Sequence, residues 1–481
     1  MSTKSQHNHW VVFLCSLLFL LAVPILAGEY YIASDGNDST GTGTADSPWQ
    51  SLTQAVAAVP DDGSTIIVRD GLYEGLQSFS RHFTKPCRIF AENPYHARFV
   101  SPKSSNRVLY ITDASQVLLN GLEFFGSGST KNDYLVQLST ENTHNLVFEN
   151  CIIHDSYKND LIKINSGANR IIFSGCVFFN PTNNKGDEHF DINTVKEIII
   201  EDSIFFNDYI GSGRPGESKS HSFIVIKNSG STPDFTEKIT LRRNVFFNWS
   251  GQGDQAFLLL GEDGKPFFEA QDILVENNLF IHNSIEKIWS TFLYKGGLKN
   301  VMTRANTITG QPEIVGFGAY SVIFLNIEKN PKQESIHFAN NLFCDNLGEG
   351  KRFSSSNGEC FAEGKLFASN NLYWTDGGIF RGEPTDTFTA KHDANAVLGD
   401  PKLPDVPERI LLPRFDCSVE QFPSGNTTVR QEFERLVKSY AVPGKGSSAI
   451  GQANPENMPK NDILGRPRSE NPTIGCCEWQ E

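Results

Sequence analysis

Sulfur-containing and basic side chains are scarce in this 481-residue sequence. It has 9 cysteines and 3 methionines, and its 42 lysines and arginines are outnumbered by 56 aspartates and glutamates. The resulting formal net charge of −14 argues against nucleic acid as a partner, because nucleic-acid binding depends on basic patches. No CxxC pair occurs, which argues against the common structural zinc motifs.

The N-terminus has the pattern of a secretory signal peptide. A weakly basic start precedes an apolar run from Trp10 to Ala27, and small residues close the run. An uncleaved membrane anchor is the alternative, because the run approaches the ~18 residues that a membrane span needs. We predict a signal peptide at 1–27 and an exported, monomeric mature chain, extracellular or periplasmic, that is not membrane-bound after cleavage.

Eight cysteines follow this segment, too few for a disulfide scaffold in a chain of this length. A Cys344–Cys360 bond, or a bond from Cys417 to the pair Cys476 and Cys477, could staple the C-terminal part. The spacing leaves the connectivity open.

One phrase recurs along the chain: an apolar strand, a polar pair and a second apolar strand. Examples are NLVFENCII at 145–153, DILVENNLFI at 272–281 and SIHFANNLFC at 335–344. Asn, Asp and Gly tolerate the left-handed backbone of a sharp bend, and stacked Asn side chains can form a hydrogen-bonded ladder. We assign the turn to these positions, spaced by 25 to 42 residues: Asn150, Gly175, Asp202, Asn244, Asn278, Asn306, Asn341 and Asn371.

This repeat predicts an all-β fold, a single-stranded right-handed parallel β-helix or solenoid. Its flanking strands are rich in Val, Ile and Phe, as buried parallel strands are, and no helical period lies between the turns. A solenoid needs its ends covered. We therefore predict an N-terminal strand and short capping helix at 28–60, the β-helix at 61–404, and a C-terminal capping helix with an extended tail at 405–481.

Segments at both ends resemble one family. They are YYIASDGNDSTGTGTADSPWQSLTQAV at 30–56, STIIVRDGLYEG at 64–75 and DILGRPRSENPTIGCCEW at 462–479. They resemble secreted pectate-lyase-like β-helix proteins, the polysaccharide-lyase-like superfamily, and the middle segments resemble exported β-helix proteins of no established activity. The resemblance implies the fold and a carbohydrate-active function. The calcium-binding aspartate cluster of pectate lyases is present only in a thin version, and the polygalacturonase motifs are absent.

A second register places charged residues on one outer face. When Leu138, Ile164, Ile192, Ile226, Leu260 and Tyr294 are aligned as inward residues, their neighbours alternate outward. One outward column then contains Lys163 and Asp191, and the other contains Lys227 and Lys295. Because adjacent coils lie about 4.8 Å apart, we expect Lys163, Asp191 and Lys227 to line one solvent-facing surface.

These residues suggest a calcium-assisted polysaccharide lyase acting on an acidic, uronate-containing polysaccharide. The hypothesis gives calcium to Asp160, Asp187, Glu188 and Asp191, because hard carboxylate oxygens suit this ion. Lys227 would be the base and Arg214 would bind the substrate carboxylate, with Lys163 and His221 at the same catalytic site. Lys295, Glu262 and Lys265 would bind substrate, although the segment around Glu262 also has the composition of a tight turn.

Three alternatives stay open. Asp187 and Asp191 could be the paired carboxylates of a glycoside hydrolase. The chain could also be a non-catalytic carbohydrate-binding or cell-surface β-helix. The charged residues could, finally, be a solvated surface without function.

Overall fold

The computed structural model describes residues 28–129, 131–182, 187–214, 220–233, 236–250, 256–283, 290–310, 321–326, 332–344, 352–357, 364–374, 393 and 395–480. The predicted signal peptide at 1–27 and Cys360 lie outside the described residues. Within them, no helix is both long and apolar enough to cross a bilayer.

The strands of the described residues form three parallel sheets, S1, S2 and S3. S1 contains β1 (Glu29–Ile32), β2 (Thr65–Val68), β5 (His82–Ala91), β8 (Ser115–Asn120), β11 (His144–Glu149), β14 (Asn169–Ser174), β17 (Lys196–Glu201), β20 (Glu237–Arg242), β23 (Ala270–Glu276), β26 (Leu298–Arg304), β29 (Gln333–Ala339) and β32 (Leu366–Ser369). S2 contains β3 (Gly71–Glu74), β6 (Ala97–Val100), β9 (Glu123–Phe125), β12 (Ile152–His154), β15 (Val177–Phe179), β18 (Ile204–Phe206), β21 (Val245–Phe246), β24 (Leu279–His282), β27 (Thr307–Gly310), β30 (Leu342–Cys344), β33 (Leu372–Trp374) and β34 (Val397–Leu398). S3 contains β4 (Gln77–Phe79), β7 (Leu109–Thr112), β10 (Val136–Ser139), β13 (Ile162–Asn165), β16 (Phe190–Asn193), β19 (Ile224–Lys227), β22 (Ala256–Leu260), β25 (Ser290–Tyr294), β28 (Ser321–Asn326) and β31 (Arg352–Asn357).

The strands succeed one another in the order S1, S2, S3, and each strand pairs with its equivalent in the next coil. This is the winding of a parallel β-helix, as the repeat predicted. Its interior is filled by side chains such as Phe178, Phe205, Phe246 and Phe280, whose rings follow one another at centroid distances of 4.8, 4.6 and 4.8 Å. Flat rings at this spacing match the distance between coils, so the Phe-rich core sustains the stack.

The bend between S1 and S2 uses two adjacent positions, which the sequence analysis merged into one. The left-handed position is Asn150, Gly175 and Asp202 in the earlier coils and Arg243, Asn277, Ala305, Asn340 and Asn370 in the later ones. The ladder position follows it. There, the side chains of Asn244, Asn278, Asn306, Asn341 and Asn371 are buried and bonded in one file.

The earlier coils fill the ladder position with other residues. Asn244 Oδ1 accepts from Ser203 N at 3.1 Å, and Ser203 Oγ accepts from Cys176 N at 3.0 Å. Cys176 Sγ in turn accepts from Cys151 N at 3.4 Å. The predicted single file of asparagines is therefore confirmed from Asn244 onward, whereas Asn150, Gly175 and Asp202 belong to the preceding position.

A short helix, α1 (Leu52–Ala58), and the longer α2 (Val429–Tyr440) lie in the two segments where the sequence predicted helices. The α2 helix does not cover the last coil. Phe433, Leu436 and Val437 belong to one buried cluster with Phe206 and Phe247 of the outward side of S2. The helix takes this place because that outward column is itself aromatic and needs a cover.

Of the two alternative disulfides, the bond from Cys417 to the pair Cys476 and Cys477 is wrong. Cys417, Cys476 and Cys477 are free thiols. Arginine-centred contacts hold the tail instead: Arg468 donates to Asn277 Oδ1 of the left-handed position at 2.8 Å, and Arg466 is paired with Asp462 at 2.6 Å.

Candidate functional site

The outward side of S3 has the register that the sequence predicted. Lys163 pairs with Asp191, and Asn193 pairs with Lys227. The inward residues Ile164, Ile192, Ile226, Leu260 and Tyr294 follow one another in consecutive strands. Charged residues that are up to 132 positions apart in sequence, Lys163 to Lys295, thus share one face of five consecutive coils.

The charges on this face alternate, in what we name the charge chain: Lys163, Asp191, Lys227, Glu262 and Lys295. Lys163 donates to Asp191 Oδ2, and Lys227 Nζ lies 3.7 Å from the same oxygen. Lys227 Nζ lies 2.6 Å from Glu262 Oε2, and Lys295 Nζ lies 3.9 Å from Glu262 Oε1. Burial lowers the pKa of Lys227, but the carboxylates of Asp191 and Glu262 outweigh it and hold that pKa above its usual range.

A group of carboxylates adjoins the charge chain. Oxygens of Asp160, Glu188 and Asp191, here called the acidic cluster, all lie within 4.8 Å of one another. Asp160 lies two residues before β13, and Glu188 lies two residues before β16. Their carboxylates approach the carboxylate of Asp191, which is at an outward position of β16. Burial, followed by the neighbouring carboxylates, raises the pKa of both Asp160 and Glu188 well above the usual range.

The acidic cluster is buried, contrary to the expectation of a solvent-facing surface. Asp160, Glu188 and Asp191 are only 2 to 5% exposed, and Lys163 is 7% exposed. Asp191 Oδ1 is buried and has no hydrogen-bond partner among the described residues. Further along the same column, Val225, Leu259 and Leu293 are buried and apolar, so this outward face is packed along much of its length.

Two more of the predicted residues lie at the edge of the acidic cluster. His221 Nδ1 is 2.7 Å from Glu188 Oε1, without the alignment of a good hydrogen bond, and burial lowers the pKa of His221 to about 4. Asp187 is outside the set of close oxygens. Burial and the charge of Asp160 raise the pKa of Asp187 to about 7.

Glu262 and Lys265 lie on the turn 261–269, which the structure shows to be tightly bonded. Glu269 accepts hydrogen bonds from the backbone N–H groups of Glu262, Asp263 and Lys265 at 2.9 to 3.0 Å. The composition therefore predicted the turn correctly. A role for Lys265 in substrate binding stays a prediction.

Arg214 lies elsewhere, so its predicted contact with a substrate carboxylate has no support. It is 5% exposed, its Nη1 lies 3.3 Å from Asp155 Oδ1, and its guanidinium lies 4.3 Å from the centre of the Tyr157 ring. The loop that carries Arg214 turns back towards the outward side of S2, because Ser212 Oγ also bonds to Asp155 at 2.8 Å.

This second charged group centres on His154, which the sequence analysis missed. The His154 ring is stacked between Phe125 and Phe179, at 5.4 and 4.4 Å, and its nitrogens lie 2.8 Å from Glu123 and 2.7 Å from Asp155. Burial lowers the pKa of His154, but hydrogen bonds to Asp155 and Glu123 raise it above the usual value. The sequence does contain a signal for this group: His154, which Asp155 follows, occupies a strand position that the neighbouring coils fill with Phe125 and Phe179.

A pH dependence of stability follows from His154. Because its pKa is raised on folding, its contribution is complete below the unfolded value of about 6.5 and is lost as pH rises through the folded pKa. The groups that face it are Glu123 and Asp155, flanked by Arg98 and Arg214. We expect the decline in melting temperature above pH 6.5 to be shallower in His154→Gln than in the wild type.

The decline of the wild type alone does not identify His154, because Asp160, Asp187 and Glu188 also have raised pKa values. Their contributions to the stability of the fold therefore also fall as pH rises. His144→Gln is the control, since burial lowers the pKa of His144, and it should keep the wild-type decline. Parallel curves for the wild type and His154→Gln would contradict the assignment.

No family model matches the sequence, and no curated protein matches it. Solved structures that resemble the chain include a GH136 lacto-N-biosidase from Eubacterium ramulus, 13% identical, with a TM-score of 0.48 over 72% of this chain and 64% of that one. The chain therefore spans less than two thirds of that protein's length. Pectate lyase Pel9A is 16% identical (TM-score 0.45, 94% of this chain and 96% of that one), and a rhamnogalacturonan lyase is 14% identical (TM-score 0.49, 85% and 98%). At these identities the likeness concerns the fold alone, and the parallel β-helix architecture itself follows from the strand order of the three sheets.

Proposed function

We propose that this chain is an exported, calcium-assisted lyase that cleaves an acidic, uronate-containing polysaccharide by β-elimination. One observation carries the proposal: the acidic cluster and the charge chain share Asp191 on one outward face. Carboxylates able to hold a divalent cation thus stand beside ammonium groups able to hold a uronate. A lyase of uronates needs both.

The acidic cluster suits calcium in its chemistry and its spacing. Its ligands are carboxylate oxygens, and oxygens bound to one calcium ion at about 2.3–2.6 Å lie within about 5 Å of each other. The buried Asp191 Oδ1 has no partner among the described residues, which leaves it available as a ligand. Bound there, calcium would supply positive charge near a substrate carboxylate and so acidify the adjacent C–H. The proposed ligand set leaves out Asp187, because its carboxylate is not part of the acidic cluster.

The residues of the charge chain bind and orient the substrate in this proposal. Lys227 and Lys295 hold the uronate carboxylate, and Lys163 fixes Asp191. Lys227 is poorly suited to be the base that we predicted, because Asp191 and Glu262 both favour its protonated form. His221 accepts the C5 proton instead, because burial keeps its imidazole in the neutral form. The C4–O bond then breaks and a C4–C5 double bond forms. The leaving oxygen takes up a proton from water, and protonated His221 returns its proton to the solvent.

The products distinguish this reaction from its alternatives. Purified chain should release unsaturated, ultraviolet-absorbing oligosaccharides from one of pectin, alginate or a glycosaminoglycan, and a chelator should abolish the release. New reducing ends without this absorbance would identify a hydrolase. Binding without any product would identify a carbohydrate-binding β-helix.

Calcium is expected to raise the melting temperature of the wild-type chain and not that of Asp191→Asn. A ligand at 100 times its Kd stabilises the folded state by about 2.7 kcal/mol. Asp155→Asn is the matched control, because Asp155 is equally buried (6% exposed, against 5%) in the other charged group. It should lose stability but keep the calcium-induced shift. An unchanged shift in Asp191→Asn would contradict the site.

A further inference from the structure

The carboxylate of Glu262 lies between two lysines of the charge chain. Its Oε2 is 2.6 Å from Lys227 Nζ, and its Oε1 is 3.9 Å from Lys295 Nζ. The three side chains keep 15 to 25% of their surface exposed, more than Lys163 or Asp191. Glu262 is thus the carboxylate of the charge chain that lies nearest to solvent.

The backbone that carries Glu262 is held by the turn itself, whereas its carboxylate is held by the two lysines. Glu269, 1% exposed, accepts from three N–H groups of the turn. Gly261 has a φ of 68°, and a Cβ there would lie 2.0 Å from Gly296 O. The turn therefore has no room to shift towards the neighbouring coil. A rotation of the Glu262 side chain alone would move its carboxylate away from both lysines.

We propose that Glu262 is a specificity-determining residue whose carboxylate occupies the position of a substrate carboxylate on Lys227 and Lys295. This inference rests on the proposed function. When an acidic sugar binds, its carboxylate takes the place of the Glu262 carboxylate, so both lysines keep an anionic partner. A neutral sugar cannot offer this exchange, because displacing Glu262 would take the nearby carboxylate from Lys295 and leave Lys227 with Asp191 alone. The internal carboxylate thereby selects for acidic saccharides and against neutral ones.

Glu262→Gln tests the inference, with Asp263→Asn as the control of equal charge change on the same turn. Both are made in a His221→Ala background, so that substrate is not consumed. Equilibrium binding of galacturonate, guluronate and mannuronate trisaccharides is measured by calorimetry with calcium present, beside a neutral trisaccharide. We expect Glu262→Gln to bind its preferred uronate about tenfold more tightly, which corresponds to about 1.4 kcal/mol. Asp263→Asn should bind it as the parent does.

The outcomes separate this inference from the proposed function. Equal or weaker uronate binding by Glu262→Gln, with clear binding by the parent, would overturn the role of Glu262 and leave the lyase proposal standing. The neutral trisaccharide should also bind more tightly to Glu262→Gln than to the parent, because its binding no longer removes a carboxylate from the lysines; no gain for it would overturn the selection against neutral sugars. Binding of no uronate by any of the proteins would overturn both.

Discussion

Lys227→Met is expected to slow β-elimination by about 10²–10³, the usual effect of removing one preorganised electrostatic contact to the transition state. Lys227 is the central cation of the charge chain and touches Asp191 on one side and Glu262 on the other. Without the Lys227 ammonium group, less positive charge would offset the repulsion between the substrate carboxylate and the carboxylates of Asp191 and Glu262. The rate at saturating substrate should fall together with kcat/KM, as expected for a contact that strengthens in the transition state.

Lys238→Met is the control for this variant. Lys238 is also in an ion pair, 3.4 Å from Glu197, but both side chains are at least 38% exposed and lie on S1, away from the charge chain. Its substitution should leave the rate within about twofold, since exposed pairs contribute about 0–1 kcal/mol. Melting curves show whether the Lys227 variant folds. A folded Lys227→Met with a rate near that of the wild type would remove the charge chain from the mechanism.

The register of S3 could be predicted from sequence because its strands alternate clearly around one buried aliphatic or aromatic residue. Leu138, Ile164 and Ile192 identify the inward side, and Lys163 and Asp191 follow from the period of two. The burial of Lys163 and Asp191 could not be predicted in the same way. Their burial depends on the segments that precede the strands, such as the one that carries Glu188. These segments have no repeating sequence pattern from which their direction could be predicted.

At the bend between S1 and S2, the sequence alignment was wrong by one residue. Aligning Asn244 with Asp202 also aligns Phe247 with Phe205, whereas Phe246 is the residue that pairs with Phe205, and Phe247 stacks outward on Phe206 at 5.5 Å. A shift of one residue exchanges the two faces of a strand. Both bend positions accept Asn, so residue type alone could not separate them; the doublet Asn277–Asn278 contains one of each.

Arg214 illustrates a different limit. Its loop follows β18 and precedes β19, so sequence order placed it near the charge chain. Its partner Asp155 follows β12, two coils earlier, and that contact is set by the path of the loop. Such a pairing has no sequence period, which explains why the contact of Arg214 with Asp155 could not be predicted.

The ladder of asparagines should carry a large part of the stability of the later coils, and Asn306→Ala should lower the free energy of unfolding by about 3–5 kcal/mol. Asn306 Oδ1 accepts from Asn278 N and Nδ2, and Asn306 Nδ2 donates to Val275 O and to Asn341 Oδ1. Alanine leaves these buried groups without partners, and each such group costs about 1–3 kcal/mol. Urea unfolding measures the loss. Asn120→Ala, which removes one hydrogen bond of 3.1 Å to Glu149 at a half-buried site, should cost less than about 1 kcal/mol.

A graded series separates hydrogen bonding from the volume lost. Serine already serves at this position in one coil, where Ser203 Oγ accepts from Cys176 N. Asn306→Ser should therefore lower the free energy of unfolding less than Asn306→Ala does, although serine and alanine are close in size. Asn306→Leu fills the space but offers no polar atom, and it should be at least as destabilising as alanine. Equal losses for the serine, alanine and leucine variants would mean that the ladder contributes shape and not hydrogen bonds, and that the recurring Asn has another cause.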